Sequence, residues 1–382
     1  MTRPNRSEQF RHDEIAIIHC VQRCVRRAFL AGEDDVSGTD YSYRREWIRR
    51  RFEALASVFC IDVLTYAILS NHLHSILRSR PDVLAKLSDQ EVAIRWLRVY
   101  PGYRMEEQLA EPSEIDVKAL VADPEKLAEV RTRLSDISWF MRALAEPIAR
   151  MSNAQDKCTG RFWEGRFKAQ RIVDDAGLLA CSMYVDLNVV RAALAEGLED
   201  SLHTSIYDRI EAEKGMLIPS AAFDLIPITH EESVAQRRKS LAEQLHDKKT
   251  KKEKEAKRVP RDGWLSPLSL SGDVPSSDPQ VHRDGLRASD KGFLRMDLSS
   301  YKKLLSWVAQ NKPSAGKAVL PKSLSDELVS CGVVPEMLSD LVWNFKKYFS
   351  RCVGGSESMS GDAKRIGRRW HRGQRLAAAC FS

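Results

Sequence analysis

Two apolar, β-branched runs, IDVLTYAIL at 61–69 and HLHSILR at 72–78, are separated only by Ser70 and Asn71. Ser-Asn is acceptable turn chemistry, and a connection this short leaves the two runs little choice but to pair as an antiparallel hairpin. A third run of the same character, EIAIIHCVQRCV at 14–25, precedes them. Between it and the hairpin lies SYRREWIRRRFEALASVF, whose Trp47, Phe52, Leu55 and Phe59 recur at helical spacing. The order is strand, helix, strand, strand.

Residues 79–136 are charged, carry short helical patterns and are broken by Pro81, Pro101, Pro112 and Pro124, which predicts a helical insertion. A helix follows at roughly 135–153, with Ile137, Phe140, Met141, Leu144 and Ile148 on one side. GRFWEGRFKAQRIV then reads as a strand, and Asp174 and Asp175 cap a helix running to about Leu194. A charged stretch and a Pro/Ser/Gly/Asp-rich segment occupy 231–292, read as a linker, so the first domain spans 1–230. Helical periodicity returns in 293–382, which ends in the basic run KRIGRRWHRGQR. These elements predict an α+β fold with a largely helical C-terminal extension.

The formal charge is +7, but 60 Lys and Arg stand against 53 Asp and Glu, so any basic surface has to be local. Eight scattered cysteines do not form the dense framework of a small secreted domain and read as reduced thiols. No run approaches the roughly 18 apolar residues of a membrane span, and the polar start lacks a signal-like apolar segment. The expectation is a soluble, cytoplasmic protein without a membrane partner.

His72 and His74 sit two apart in a strand, which puts both on one face with Cα atoms about 6.6 Å apart, close enough to converge on one ion. The spacing alone equally fits two rings facing solvent from an edge strand. On the 175–194 helix, Gly177, Cys181, Tyr184, Asn188 and Arg191 form a small-and-polar stripe opposite Leu178, Leu179, Met183, Leu187 and Leu194. Tyr184 is either a solvated rim residue or a nucleophile. A tyrosine attacking a phosphodiester needs a cation to polarise the phosphate, and the histidine pair offers a place for one. Two imidazoles and the carbonyl oxygen of Asn188 leave positions open for phosphate oxygens, which suits Mg²⁺ or Mn²⁺.

Three stretches, YAILSNHLHSILR at 66–78, GRFWEGRFKAQRIVDD at 160–175 and YVDLNVVRAAL at 184–194, give the chain a likeness over roughly residues 10–210. It resembles the single-tyrosine HUH transposases, especially the REP-associated (IS200-like) type. The resemblance implies a ferredoxin-like core, an antiparallel sheet with helices on one side, the histidine pair on a central strand and the tyrosine helix crossing it. It also implies that His72, His74 and Asn188 are the metal ligands and Tyr184 the catalytic nucleophile. Tyr184 would cleave single-stranded or hairpin DNA through a 5′-phosphotyrosine intermediate. The chain departs from the family pattern in the 79–136 insertion, in Val189 where a proline is common, and in the long C-terminal region.

Arg161, Arg166, Lys168 and Arg171 interleave with Phe162, Trp163 and Phe167, so this strand offers cations for phosphates and, through Trp163, a ring for unpaired bases. Phe162 or Trp163 could instead be core. Arg44, Arg45, Arg49, Arg50 and Arg51 on the first helix either track a DNA backbone or form a solvated face. The acid-free run 364–375 reads as a disordered basic tail and a non-specific DNA-binding arm. Competing readings are an HUH relaxase or replication initiator, an inactive DNA-binding protein, and a zinc protein using Cys20 and Cys24 with the histidines. Monomer and homodimer both remain open.

Overall fold

The computed structural model describes residues 9–25, 31–32, 38–101, 111–222, 225, 257–270, 277–313 and 319–381. The first strand and helix are β1 (Ile17–Arg23) and α1 (Arg44–Ala56), and the hairpin is β2 (Ile61–Ile68) and β3 (His72–Ser79). Its turn is closed by the Leu69 amide donating to the His72 carbonyl at 2.9 Å, with Ser70 and Asn71 at the tip. The insertion contains α2 (Pro81–Leu84), α3 (Asp89–Val99), α4 (Glu114–Val121) and α5 (Pro124–Arg133), and α6 (Ile137–Gln155) and β4 (Lys168–Ile172) follow.

Pairing is antiparallel throughout the order β2-β3-β1-β4. A β-α-β-β-α-β sequence with β3 inserted between β1 and β2 is the ferredoxin-like split arrangement. The fold is α+β. Pairing within GRFWEGRFKAQRIV is confined to β4, with a lone bridge from Trp163 to Cys24, because Gly160 and Gly165 adopt positive φ that a strand does not hold.

Alternation along the strands splits the molecule into two cores. Ile18 and Cys20 of β1, Val63 and Tyr66 of β2, and Leu73 and Leu77 of β3 pack with Phe52, Phe59, Phe140 and Leu144 of the α1–α6 side. Leu64, Ala67, Ile76 and Ile172 face the other way. There they meet α7 (Asp175–Asp186), which is capped by Asp174 accepting from the Gly177 amide at 2.8 Å. Helices therefore cover both faces of the sheet, not one.

The chain continues through α8 (Asn188–Arg191), α9 (Ser205–Glu213), β5 (Leu217–Pro219) and β6 (Arg258–Pro260). Then come α10 (Leu298–Gln310), α11 (Lys322–Ser330), α12 (Leu338–Trp343), α13 (Phe345–Tyr348), β7 (Cys352–Val353), α14 (Ser356–Arg365) and α15 (Gln374–Cys380). Leu304, Leu305, Leu341 and Phe345 share one core with Leu178, Leu179 and Met183 of α7. β7 adds to the edge of β4 in parallel, making a mixed five-stranded sheet.

Three expectations need correcting. Three of the five arginines of α1 do not belong to a solvated or DNA-tracking face: Arg44, Arg49 and Arg51 are buried, bonded to Gln155, to Glu46 and to the Ala143 carbonyl respectively, while Arg45 and Arg50 are half-buried. The composition of 257–292 predicts an unpacked linker, yet Val259, Trp264 and Leu265 are buried and Ser289 donates to buried Asp62 at 2.9 Å. The charged run at 236–256 lies outside the described residues. The basic run 364–375 is folded, pinned where His371 Nε2 meets Asp362 at 2.9 Å. Composition reports mean polarity, whereas one buried imidazole paired to a carboxylate is enough to anchor such a segment.

Candidate active site

His72 and His74 project from β3 onto the face covered by α7, and the pairing register sets Arg23 opposite His72 and Val21 opposite His74. Their ring centroids are 4.9 Å apart. Tyr184, in the third turn of α7, stands 5.7 Å from the His74 ring and 5.9 Å from that of His19, edge-on to both. His72, His74, His19 and Tyr184 line one cavity of about 280 Å³, closed by Arg166, Lys168 and Gln170 on one side and Phe345 and Lys346 on the other.

His19 is the residue that sequence reasoning missed. It precedes Cys20 in β1, two residues before Val21, so the same period-two logic that paired His72 with His74 puts it on their face. A chain of bonds runs through it. Gln170 Oε1 lies 3.0 Å from His19 Nδ1, and His19 Nε2 lies 2.8 Å from His74 Nδ1. With the amide oxygen accepting, His19 carries its proton on Nδ1 and accepts at Nε2. His74 then carries its own proton on Nδ1, which leaves His74 Nε2 as a bare lone pair. That atom is buried and has no hydrogen-bond partner among the described residues. A ligating imidazole whose other nitrogen donates to a fixed acceptor is the standard way a protein orients a metal ligand.

Electrostatics favour the ligating form. Burial holds His72 down to about 4, assisted by the nearby Arg23, Lys346 and Lys168, and burial likewise holds His19 down to about 4. His74 is driven well below its usual range by burial and then by its two histidine neighbours. All three rings are neutral at pH 7. Tyr184, 4% exposed, is pushed up by burial, while the Arg191 guanidinium, 4.7 Å over its ring, pulls it back.

Asn188 is buried one turn beyond Tyr184, and its Nδ2 has no hydrogen-bond partner among the described residues. A half-turn of the amide exchanges that donor for an oxygen acceptor. Two neutral imidazoles, one of them with an orphaned buried lone pair, beside a convertible amide are a donor set that fits a divalent cation. Asn188 does not itself line the cavity.

The remaining candidates divide. Arg166 and Lys168 line the cavity. Arg161 is exposed outside it. Trp163 is half-buried, with its indole N–H donating to the Ala145 carbonyl at 2.8 Å and its ring edge-on to Phe162. Arg171 is drawn away to Glu14 at 2.8 Å and Asp362 at 3.3 Å. Cys20 and Cys24 are buried in the core on the α1–α6 side of the sheet, away from the histidines. Among the described residues a different trio, Cys352, Asp362 and His371, brings three buried ligand atoms within 4.8 Å of one another and could hold an ion. There Asp362 already answers to Arg365 at 2.9 Å and to Arg171. All eight cysteines are free thiols, and among the described residues no helix is long and apolar enough to cross a membrane.

No protein-family model matches the chain, and no curated protein does. Among solved structures it is similar to a REP-associated tyrosine transposase bound to a REP hairpin, with 12% identity and a TM-score of 0.32, over 61% of this chain and 93% of that one. Likeness at that level is distant, and the chemical reading rests on the cavity itself.

Proposed function

We propose that this protein is a transposase that cuts and rejoins single-stranded DNA at hairpin-forming sequences, with Tyr184 as nucleophile. The observation that carries the reading is that Tyr184, His72 and His74, from elements far apart in sequence, line the same cavity. A divalent ion such as Mg²⁺ or Mn²⁺, held by His72 and His74 with Asn188 as the neighbouring oxygen donor, would supply Lewis-acid polarisation of the phosphate.

The chain's own groups do the rest. Tyr184 Oη attacks phosphorus, the bond from phosphorus to the 3′ oxygen breaks, and the DNA 5′ end is left esterified to the tyrosine. The phenol proton is lost and the departing 3′ oxygen gains one, so a free 3′-hydroxyl remains to reverse the step or join a new end. Tyrosine's ordinary pKa near 10 makes the phenolate scarce at pH 7, and burial makes it scarcer. Arg191, over the ring, offsets that cost by stabilising the developing phenolate. Arg166, Lys168 and Lys346 offer positive charge around the cavity for the flanking phosphates.

A second reading, a DNA-binding protein that does not cut, is favoured by the depth of Tyr184 beneath Phe345. Incubation with hairpin-bearing single-stranded DNA and Mg²⁺ or Mn²⁺, beside Tyr184→Phe and His72→Ala, separates the two on denaturing gels. A metal-dependent covalent adduct absent from both variants supports cleavage. Binding without an adduct under any metal supports the second reading.

A further inference from the structure

Seven of the eight tryptophans are buried or half-buried, and Trp370 alone stands 66% exposed. It sits in the folded basic segment after α14, flanked by exposed Lys364, Arg368, Arg369, Arg372 and Arg375. The segment is held, not trailing. His371, the next residue, is buried against Asp362, and Arg372 donates to the Lys347 carbonyl at 2.7 Å. Gly373 adopts φ +93, and a Cβ there would meet the Tyr348 carbonyl at 2.6 Å. Burying about 150–250 Å² of indole is ordinarily favourable, so a fixed backbone that presents the ring to solvent leaves a stacking platform unused. Beside it a surface cavity of about 760 Å³ is lined by Ser356, Trp370, Arg372, Gln374, Arg375 and Leu376.

We infer that this surface binds single-stranded DNA, with an unpaired base stacked on Trp370 and the arginines on its phosphates. Base-on-ring stacking needs unpaired bases, and the positive charge needs a polyanion; together they select a single strand over a duplex or an acidic protein. The surface and the candidate active site both border α13. Its contacts with Lys347 and Tyr348 are to α13, whose Phe345 and Lys346 line the His72–Tyr184 cavity. A strand entering that cavity can continue across α13 onto Trp370. The inference rests on the DNA reading above, but not on cleavage.

The test uses the full chain carrying Tyr184→Phe, without metal, and measures fluorescence anisotropy of a labelled thymidine oligonucleotide and of a duplex of equal length. Trp370→Ala is expected to weaken single-strand binding roughly tenfold while leaving duplex binding and thermal stability unchanged. Trp370→Phe should restore most of the loss. Replacing Arg368, Arg369 and Arg375 together with Gln should flatten the salt dependence of log Kd by about 2. Single-strand affinity indifferent to Trp370→Ala overturns the proposal, as does Trp370→Phe binding no better than Trp370→Ala. Binding that depends on Trp370, alongside a wild-type protein that forms no adduct with hairpin DNA and metal, keeps this surface and removes only the cleavage reading.

Discussion

Phe345 stacks on Tyr184, with ring centroids 4.7 Å apart and planes 23° from parallel. The candidate nucleophile is thus roofed by a side chain from α13, far beyond the ferredoxin-like core. The same contact buries Phe345 to 1% exposure, so the roof is also part of the core that joins α7 to the C-terminal helices.

Phe345→Leu therefore has two expected effects. Losing a stacked aromatic pair should cost about 0.5–1.5 kcal/mol, read as a lower urea midpoint. Access to Tyr184 should rise, so adduct formation on hairpin DNA should quicken relative to wild type. A slower reaction in a folded variant would mean that Phe345 orients the tyrosine and does not cover it.

His19→Ala removes the acceptor of the His74 Nδ1 proton and unfastens the tautomer that leaves Nε2 free. Such outer partners typically govern about 10–100-fold in metal affinity. Mn²⁺ titration followed by electron paramagnetic resonance should show that loss in His19→Ala and a smaller one in Gln170→Ala. Equal affinity in all three proteins would detach the relay from metal binding.

Burial holds His19, His72 and His203 each down to about 4 in the folded state, against about 6.5 unfolded. Between those values the unfolded chain binds more protons than the folded one, so stability rises with pH there. The contribution is complete above about pH 6.5 and is lost as pH falls towards 4. Urea unfolding across that window should show the decline. His203→Asn, away from the cavity, should make it shallower; an unchanged slope would place the acid sensitivity elsewhere.

Gly177 lies where α7 crosses β7, and a Cβ there would come within 2.9 Å of Gly354 Cα and of the Val353 carbonyl oxygen. Backbone cannot rotate away as a side chain can, so Gly177→Ala should destabilise by about 1–3 kcal/mol. Because the same helix carries Tyr184, adduct formation should fall further than the stability loss explains. Wild-type stability in the variant would show that the crossing relaxes freely.

The placement of the candidate site residues is largely legible in the sequence. Period-two spacing put His72 and His74 on one face, the two-residue gap at Ser70 and Asn71 forced the hairpin, and Asp174 announced the start of the tyrosine helix. His19 was legible by the same rule but carried no signal of its own, because a lone histidine in an apolar strand matches an ordinary core residue until its neighbours are known.

Local sequence by itself determined the first strand, the hairpin, the start of the tyrosine helix and which side chains share a face there, because those depend on backbone period and on chemistry within a few residues. Only the tertiary structure decided what each face meets. It turned Arg44 and Arg51 inward onto partners far along the chain, drew Arg171 to Glu14 and Asp362, laid Phe345 over Tyr184, and left Trp370 in solvent on a segment anchored by His371. The physical reason is that burial and pairing energies come from contacts between distant residues, and neither composition nor periodicity encodes which distant residue a side chain will touch.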